Sequence, residues 1–125
     1  MTDVRKTHGA FSWMELQGED AASTQDFYAE LFGWKPVPMP MQDGGTYPGF
    51  ALGEEPIGGF AGKPDLGRHW LPYITVDDVD ATVGAAARSG GRVVAEPFDA
   101  PGVGRIAVIE DPMGAPAAVI TYPEA

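Results

Sequence analysis

The residue with the clearest capacity for chemistry is a carboxylate set on an apolar strand. Phe11, Trp13 and Glu15 alternate with Ser12, Met14 and Leu16, the period of a strand whose two faces differ. Folding does not require a glutamate between Trp13 and Leu16. Buried among aromatic rings, Glu15 can serve as a general base or acid, or pair with a cationic ligand. A salt bridge to Arg or Lys, or a solvent-facing position, is the alternative. A second suggestive stretch, Pro101-Gly102-Val103-Gly104-Arg105, has the glycines of a phosphate loop, but no Gly-Lys-Ser/Thr follows and no helix opens behind it. It reads as a turn that delivers Arg105 to the start of a strand, where the guanidinium meets an anionic group or a carboxylate of the chain. The absence of cysteine removes thiol nucleophiles, disulfides and cysteine-based zinc sites together.

These residues are carried by an internal repeat. Phe11 to Leu16 leads to Glu19-Asp20, a helical run ending at Leu31-Phe32-Gly33, and Trp34 to Pro38; Trp70 to Val76 leads to Asp77-Asp78, a helix from about Val79 to Ser89 ending at Gly90-Gly91, and Arg92 to Glu96. Asp20/Asp78, Thr24/Thr82, Ala29/Ala87 and Gly33/Gly91 share an offset of 58 residues. The acidic pairs are expected to cap the helices and Gly33 to end the first one, in which Phe27, Tyr28, Leu31 and Phe32 recur at helical spacing. Met39 to Pro48, rich in proline and glycine, reads as a loop whose Met39, Met41 and Tyr47 can close over a hydrophobic ligand. A hairpin of Phe50 to Leu52 and Ile57 to Ala61 completes the first half. A Pro97 to Gly104 loop and strands Arg105 to Glu110 and Ala117 to Tyr122, joined at Asp111-Pro112-Met113-Gly114, complete the second. Each half is βαβββ, which gives an α+β fold of eight strands and two main helices. The expected organisation is one domain over 1–125, with module one at about 9–62, a linker at 63–67 and module two at about 68–122.

Eighteen acidic against eight basic residues give a formal net charge of −10. Such a field repels phosphate backbones and anionic lipid and attracts cations, so nucleic acid is not an expected partner. No run approaches the ~18 apolar residues of a membrane span, and Met1 to His8 lacks the apolar core of a signal peptide. The expected residence is cytoplasmic.

Phe27-Tyr28-x-x-Leu31-Phe32-Gly33-Trp34, then Val76-Asp77-Asp78-Val79-Asp80-Ala81, Gly90-Gly91 and Asp111-Pro112-Met113-Gly114-Ala115, resemble the vicinal oxygen chelate superfamily, which includes glyoxalase I, extradiol dioxygenases and bleomycin-resistance proteins. The resemblance covers roughly residues 9 to 122. It implies that the two βαβββ modules form a curved, mostly antiparallel eight-stranded sheet, with helices outside and a concave ligand cavity. Metal-dependent members hold one divalent ion with His, Glu or Gln side chains from four strands, leaving open positions for a bidentate substrate. The resemblance carries those four positions onto Trp13, Phe60, Leu71 and Ala118, none of which can bind a metal. Same-face neighbours one repeat away add only Glu15 and His69 as competent ligands.

The resemblance therefore implies a pocket of Phe11, Trp13, Glu15, Phe60, His69, Leu71, Tyr73 and Ala118, with Ile120, and with Arg105 as a candidate for an anionic group. Its aromatic walls suit a mid-sized organic ligand, although the same rings can simply fill a core. The expected activity is metal-independent binding of a small aromatic or cationic molecule, as in sequestration of or resistance to a natural product, with no cofactor. One alternative is a metal-free isomerase or cyclase of secondary metabolism in which Glu15 is the base and Tyr73 or His69 the acid. The other is a metal-dependent lyase or dioxygenase of the same superfamily. A homodimer is compatible with either arrangement of the halves.

Overall fold

The computed structural model describes residues 3–41, 44–61 and 67–123; the expected linker, apart from Gly67, lies outside them. The elements are β1 (Phe11–Gln17), a 3-10 turn (Ala21–Thr24), α1 (Gln25–Phe32), β2 (Lys35–Pro40), β3 (Thr46–Leu52), β4 (Glu55–Ala61), β5 (His69–Thr75), α2 (Val79–Arg88), β6 (Arg92–Ala100), β7 (Gly104–Glu110) and β8 (Pro116–Thr121). The order βαβββ thus occurs twice, and the fold is α+β. Among the described residues, no helix is long and apolar enough to cross a membrane. The chain divides into two compact units, one of Trp13–Leu71 and the other of the residues on either side of that segment.

In the Trp13–Leu71 unit the strands lie in the order β2-β3-β4-β1, with β1 parallel to β4 and the other pairs antiparallel. Its core is aromatic. Trp34 stacks on Phe50 with ring centroids 4.4 Å apart, and Phe60, Tyr28 and Trp70 close around them. Helix α1 contributes Tyr28 to that core, while Phe27, Leu31 and Phe32 stay exposed, so only part of the expected apolar stripe is buried. Asp20 does not cap the helix. It takes a left-handed conformation (φ 58°) with no side-chain cap, and the 3-10 turn lies between it and α1. Gly33 ends α1 as expected, at φ 73° with its amide bonded to the carbonyl of Ala29.

Both ends of the expected loop at Met39 to Pro48 are instead paired strand, with Met39 opposite Tyr47, Pro40 opposite Thr46 and Pro38 opposite Pro48. The prolines of β2 explain the misreading. Pro36, Pro38 and Pro40 occupy alternate positions on the terminal strand of the order, where the missing N–H groups would have pointed away from β3 and no ladder bond is lost.

In the other unit the order is β5-β8-β7-β6, with β5 parallel to β8. Val76, Val79, Val83, Ala107 and Val119 form its core, joined by Val93 and Ile109. Here the acidic cap forms, since the Asp78 carboxylate accepts the amide of Ala81 at 3.1 Å. Strand β6 runs past the expected end at Glu96 to Ala100, accommodating Pro97 through register shifts between Val93 and Phe98.

Arg105 also belongs to this framework. Its guanidinium is held in bidentate fashion by Asp80 of α2 (2.7 and 2.9 Å) and by Asp99 of β6 (3.0 Å). Its donors are thus turned to the chain's own carboxylates, the second of the two roles expected for it. The hydrogen bond to Arg105 holds the Asp80 carboxyl below its ordinary range. A carboxylate depressed on folding stabilises fully above its unfolded pKa, and that contribution is lost as pH falls through the folded value. Urea midpoints of the native protein should therefore fall from about pH 5 downward more steeply than those of Arg105→Gln. Because the pair is exposed the difference is expected to be small, and parallel curves would remove the clamp from the account.

Candidate functional site

In the Trp13–Leu71 unit, the alternation of β1 places Trp13, Glu15 and Gln17 on one face and Leu16 on the other, against the aromatic core. Glu15 is 6% exposed and Gln17 1%. A carboxylate in that position requires donors, and both of its oxygens have them. The Tyr47 hydroxyl donates to Oε2 at 2.7 Å, and the Gln17 amide donates to Oε1. The indole of Trp13 donates in turn to the Tyr47 oxygen at 3.2 Å, with the two rings 6.4 Å apart. The result is a chain of donors, Trp13 to Tyr47 to Glu15, closed from the other side by Gln17.

The space for Tyr47 is made by Gly59. A Cβ at that position would lie 2.2 Å from the phenol ring, and one at Gly58 would lie 2.1 Å from the Met14 carbonyl oxygen. Of this network only Gln17 reaches a cavity of about 280 Å3, whose other lining residues are Leu16, Thr24, Tyr28, His69 and Trp70, with Arg68 and Ala21. The Oε1 atom of Gln17 is buried and has no hydrogen-bond partner among the described residues. An orphaned buried acceptor of this kind costs about 1–3 kcal/mol.

The structure distributes the remaining sequence-derived residues unevenly. Phe60 is not on the Glu15 face. In the β1/β4 register Glu15 lies beside Gly59 and Leu16 beside Phe60, while in the second half Tyr73 lies beside Ala118. The repeat offset at this strand is therefore 59 (118 minus 59), one more than elsewhere, and a one-residue slip reverses the side chain. Phe60 consequently packs into the aromatic core. Leu71 is buried, and His69 lines the cavity. In the other unit, Tyr73 and Ala118 are neighbours on β5 and β8, both buried, with Ile120 next along β8. Phe11 stands 67% exposed at the start of β1.

The four positions that the resemblance assigns to metal carry no oxygen, imidazole or thiolate ligand, and moving Phe60 to Gly59 adds none. Among the described residues no three His, Cys, Asp or Glu side chains are grouped to hold a metal ion. At those four positions the side chains do not fit the superfamily's divalent metal.

Sequence reasoning missed two members of the network. Gln17 continues the Trp13, Glu15 alternation one step past the expected end of the strand. Tyr47 was expected on a covering loop. The Gly58-Gly59 pair inside a strand was the available signal of a close approach.

Comparison with known proteins gives these features a context. The family model described as glyoxalase-like domain matches residues 13–120. A Mycobacterium tuberculosis protein named as a glyoxylase, CFP32, is 39% identical over 109 residues, covering 86% of this chain and 42% of that one. The anthracycline biosynthesis protein DnrV of Streptomyces peucetius is 32% identical over 132 residues, covering 93% and 48%. The chain thus spans about half the length of these relatives. Among solved structures, it is similar in fold to a hypothetical protein, BH1468, of Bacillus halodurans (TM-score 0.67, 12% identity, 95% and 98% covered) and to Streptomyces coelicolor methylmalonyl-CoA epimerase with 2-nitronate-propionyl-CoA (0.64, 16%, 95% and 98%).

Proposed function

Because the chain belongs to the glyoxalase-like domain family, we propose that it uses the family's scaffold to bind a small aromatic or cationic organic molecule without a metal, with Glu15 as the polar anchor. One observation carries this reading: a buried carboxylate held by Tyr47 and Gln17 beside the indole of Trp13. A carboxylate so placed gives a charge-assisted contact to a cation or a donor that a ligand brings. The rings of Trp13 and Tyr47 provide stacking area. The name of the Streptomyces relative supports guests of the anthracycline type, planar polycyclic quinones whose glycosides carry an amino sugar.

A second reading rests on the Tyr47 hydroxyl 2.7 Å from Glu15. A phenol and a carboxylate in direct contact can pass a proton, which suits a metal-free isomerase or cyclase acting next to a carbonyl. One experiment separates the two. The protein is titrated with an anthracycline aglycone, its amino glycoside and simple polyketide phenols while tryptophan emission is followed, and each mixture is then analysed by mass spectrometry and for solvent deuterium uptake. Saturable quenching with the guest recovered unchanged supports binding; deuterium in the guest or a rearranged product supports proton transfer. Absence of quenching and of any rise in melting temperature across the panel overturns the proposal.

A further inference from the structure

In the unit that contains α2, a cleft of about 700 Å3 is lined by residues that no part of the reading above employs, among them Arg5, Lys6, Val76, Asp77, Val103 and Tyr122. We propose that this cleft binds a small carboxylic acid with a flat apolar body, the carboxylate meeting Arg5 and Lys6 and the body resting on Tyr122 and Val103.

The cations are uncommitted. Arg92 and Arg105 are ion-paired with Glu110, Asp80 and Asp99. Arg5 and Lys6, by contrast, have no carboxylate within ion-pair distance among the described residues. In a chain of net charge −10, two adjacent cations without an ion-pair partner leave their charge to be met by an anion from solution. Two acids also line the cleft, Asp3, which accepts the Arg5 amide at 3.1 Å, and Asp77, 83% exposed beside His8, but neither lies within ion-pair distance of Arg5 or Lys6.

The segment that carries both cations is also held in place, and so is the Arg5 head group. The segment preceding β1 is tied to the end of β5 by Gly9 N–H to Thr75 O (2.7 Å), Thr75 N–H to Ala10 O (2.8 Å) and Thr75 Oγ1–H to Val4 O (2.7 Å), and the Asp77 amide donates to His8 Nδ1 (3.0 Å). The Arg5 guanidinium lies 5.7 Å over the Tyr122 ring, whose hydroxyl is fixed by a bond to Ser12 at 2.8 Å. A guanidinium resting on a ring face keeps its N–H edges directed outward, where they match a carboxylate bidentately. The Thr75 and Thr121 hydroxyls both donate to backbone carbonyls, so Arg5 and Lys6 supply the charged side-chain donors. Val76, Val103 and the phenol ring supply the apolar floor.

The test is a titration of the full chain, labelled with nitrogen-15, with 2-naphthoate and with its neutral counterpart 2-naphthamide. Saturable amide shifts are expected at Arg5, Lys6, Val76 and Gly102 to Gly104 with the acid, with affinity about tenfold lower for the amide. Arg5→Met, which keeps the stem on the ring, should reduce that preference, and Arg5→Met with Lys6→Met should remove it, while leaving the rest of the spectrum in place. Equal binding of acid and amide, an unchanged preference in Arg5→Met, or no saturable shift at these residues would each overturn the proposal.

Discussion

Glu15→Gln is expected to lower the affinity for a cationic guest by about tenfold or more while leaving the protein folded and the binding of neutral guests largely intact. The affinity loss follows from removing the charged partner of a buried charge-assisted contact. Retention of the fold follows from Gln17. Its amide donates to Glu15 and its own Oε1 is buried without a partner. Left as it is, that amide still donates to the carbonyl oxygen introduced at position 15, and the new NH2 group faces the Tyr47 oxygen, so the network keeps its contacts. Glu15→Leu has no such remedy: it takes away the acceptor of both the Tyr47 hydroxyl and the Gln17 amide and should cost about 1–3 kcal/mol. Calorimetric titration beside urea unfolding reads both quantities. If Glu15→Gln binds the amino glycoside as tightly as the native protein, Glu15 is not the anchor. If it binds normally but deuterium uptake disappears, the proton-transfer reading takes precedence.

Gly59→Ala should disrupt the contact of Tyr47 with Glu15 while leaving a folded chain. The added methyl would occupy space 2.2 Å from the Tyr47 ring. Tyr47 sits on β3 and has its partner Glu15 on β1, so a side chain driven from Gly59 is driven away from the carboxylate. The expected outcome is a stability loss of about 1–3 kcal/mol, the usual range for overpacking, together with lost quenching by guests. Gly58→Ala is the sharper case. The atom it would meet, at 2.1 Å, is the Met14 backbone oxygen, which cannot rotate aside as a phenol can. The β1/β4 pairing would have to shift, so the Gly58 variant should be the less stable of the two in denaturant. Equal stability of both variants with the native protein would mean that β4 lies further from its neighbours than described.

The order of elements was legible because each has a local cause: a period of two in the strands, Asp78 before α2 and Gly33 after α1. Where local signals compete, the sequence was a poorer guide. Asp20 and Asp78 look alike, yet only Asp78 caps its helix; Asp20 lies in a left-handed turn that leads into a 3-10 segment. Pro36, Pro38 and Pro40 resembled loop residues because an edge strand and a loop tolerate proline for the same reason, the absence of a required N–H. Glu15 could be singled out as a polar residue out of place. Its partner Tyr47, 32 residues away, could not, since the pairing depends on a register that a single additional residue before β8, with no counterpart before β4, had already altered. That residue also decided whether Phe60 or Gly59 stands beside Glu15.

The alternating prolines of β2 have a bearing on assembly. A strand margin ordinarily offers both hydrogen-bond donors and acceptors, and foreign chains use both when they add to a sheet. Along Pro36, Pro38 and Pro40 only carbonyl oxygens remain on the outward side. A visiting strand would find half of its complement missing at every second residue. That margin is thereby closed to fibril growth and to edge-to-edge pairing of copies, so association through it would have to depend on side chains.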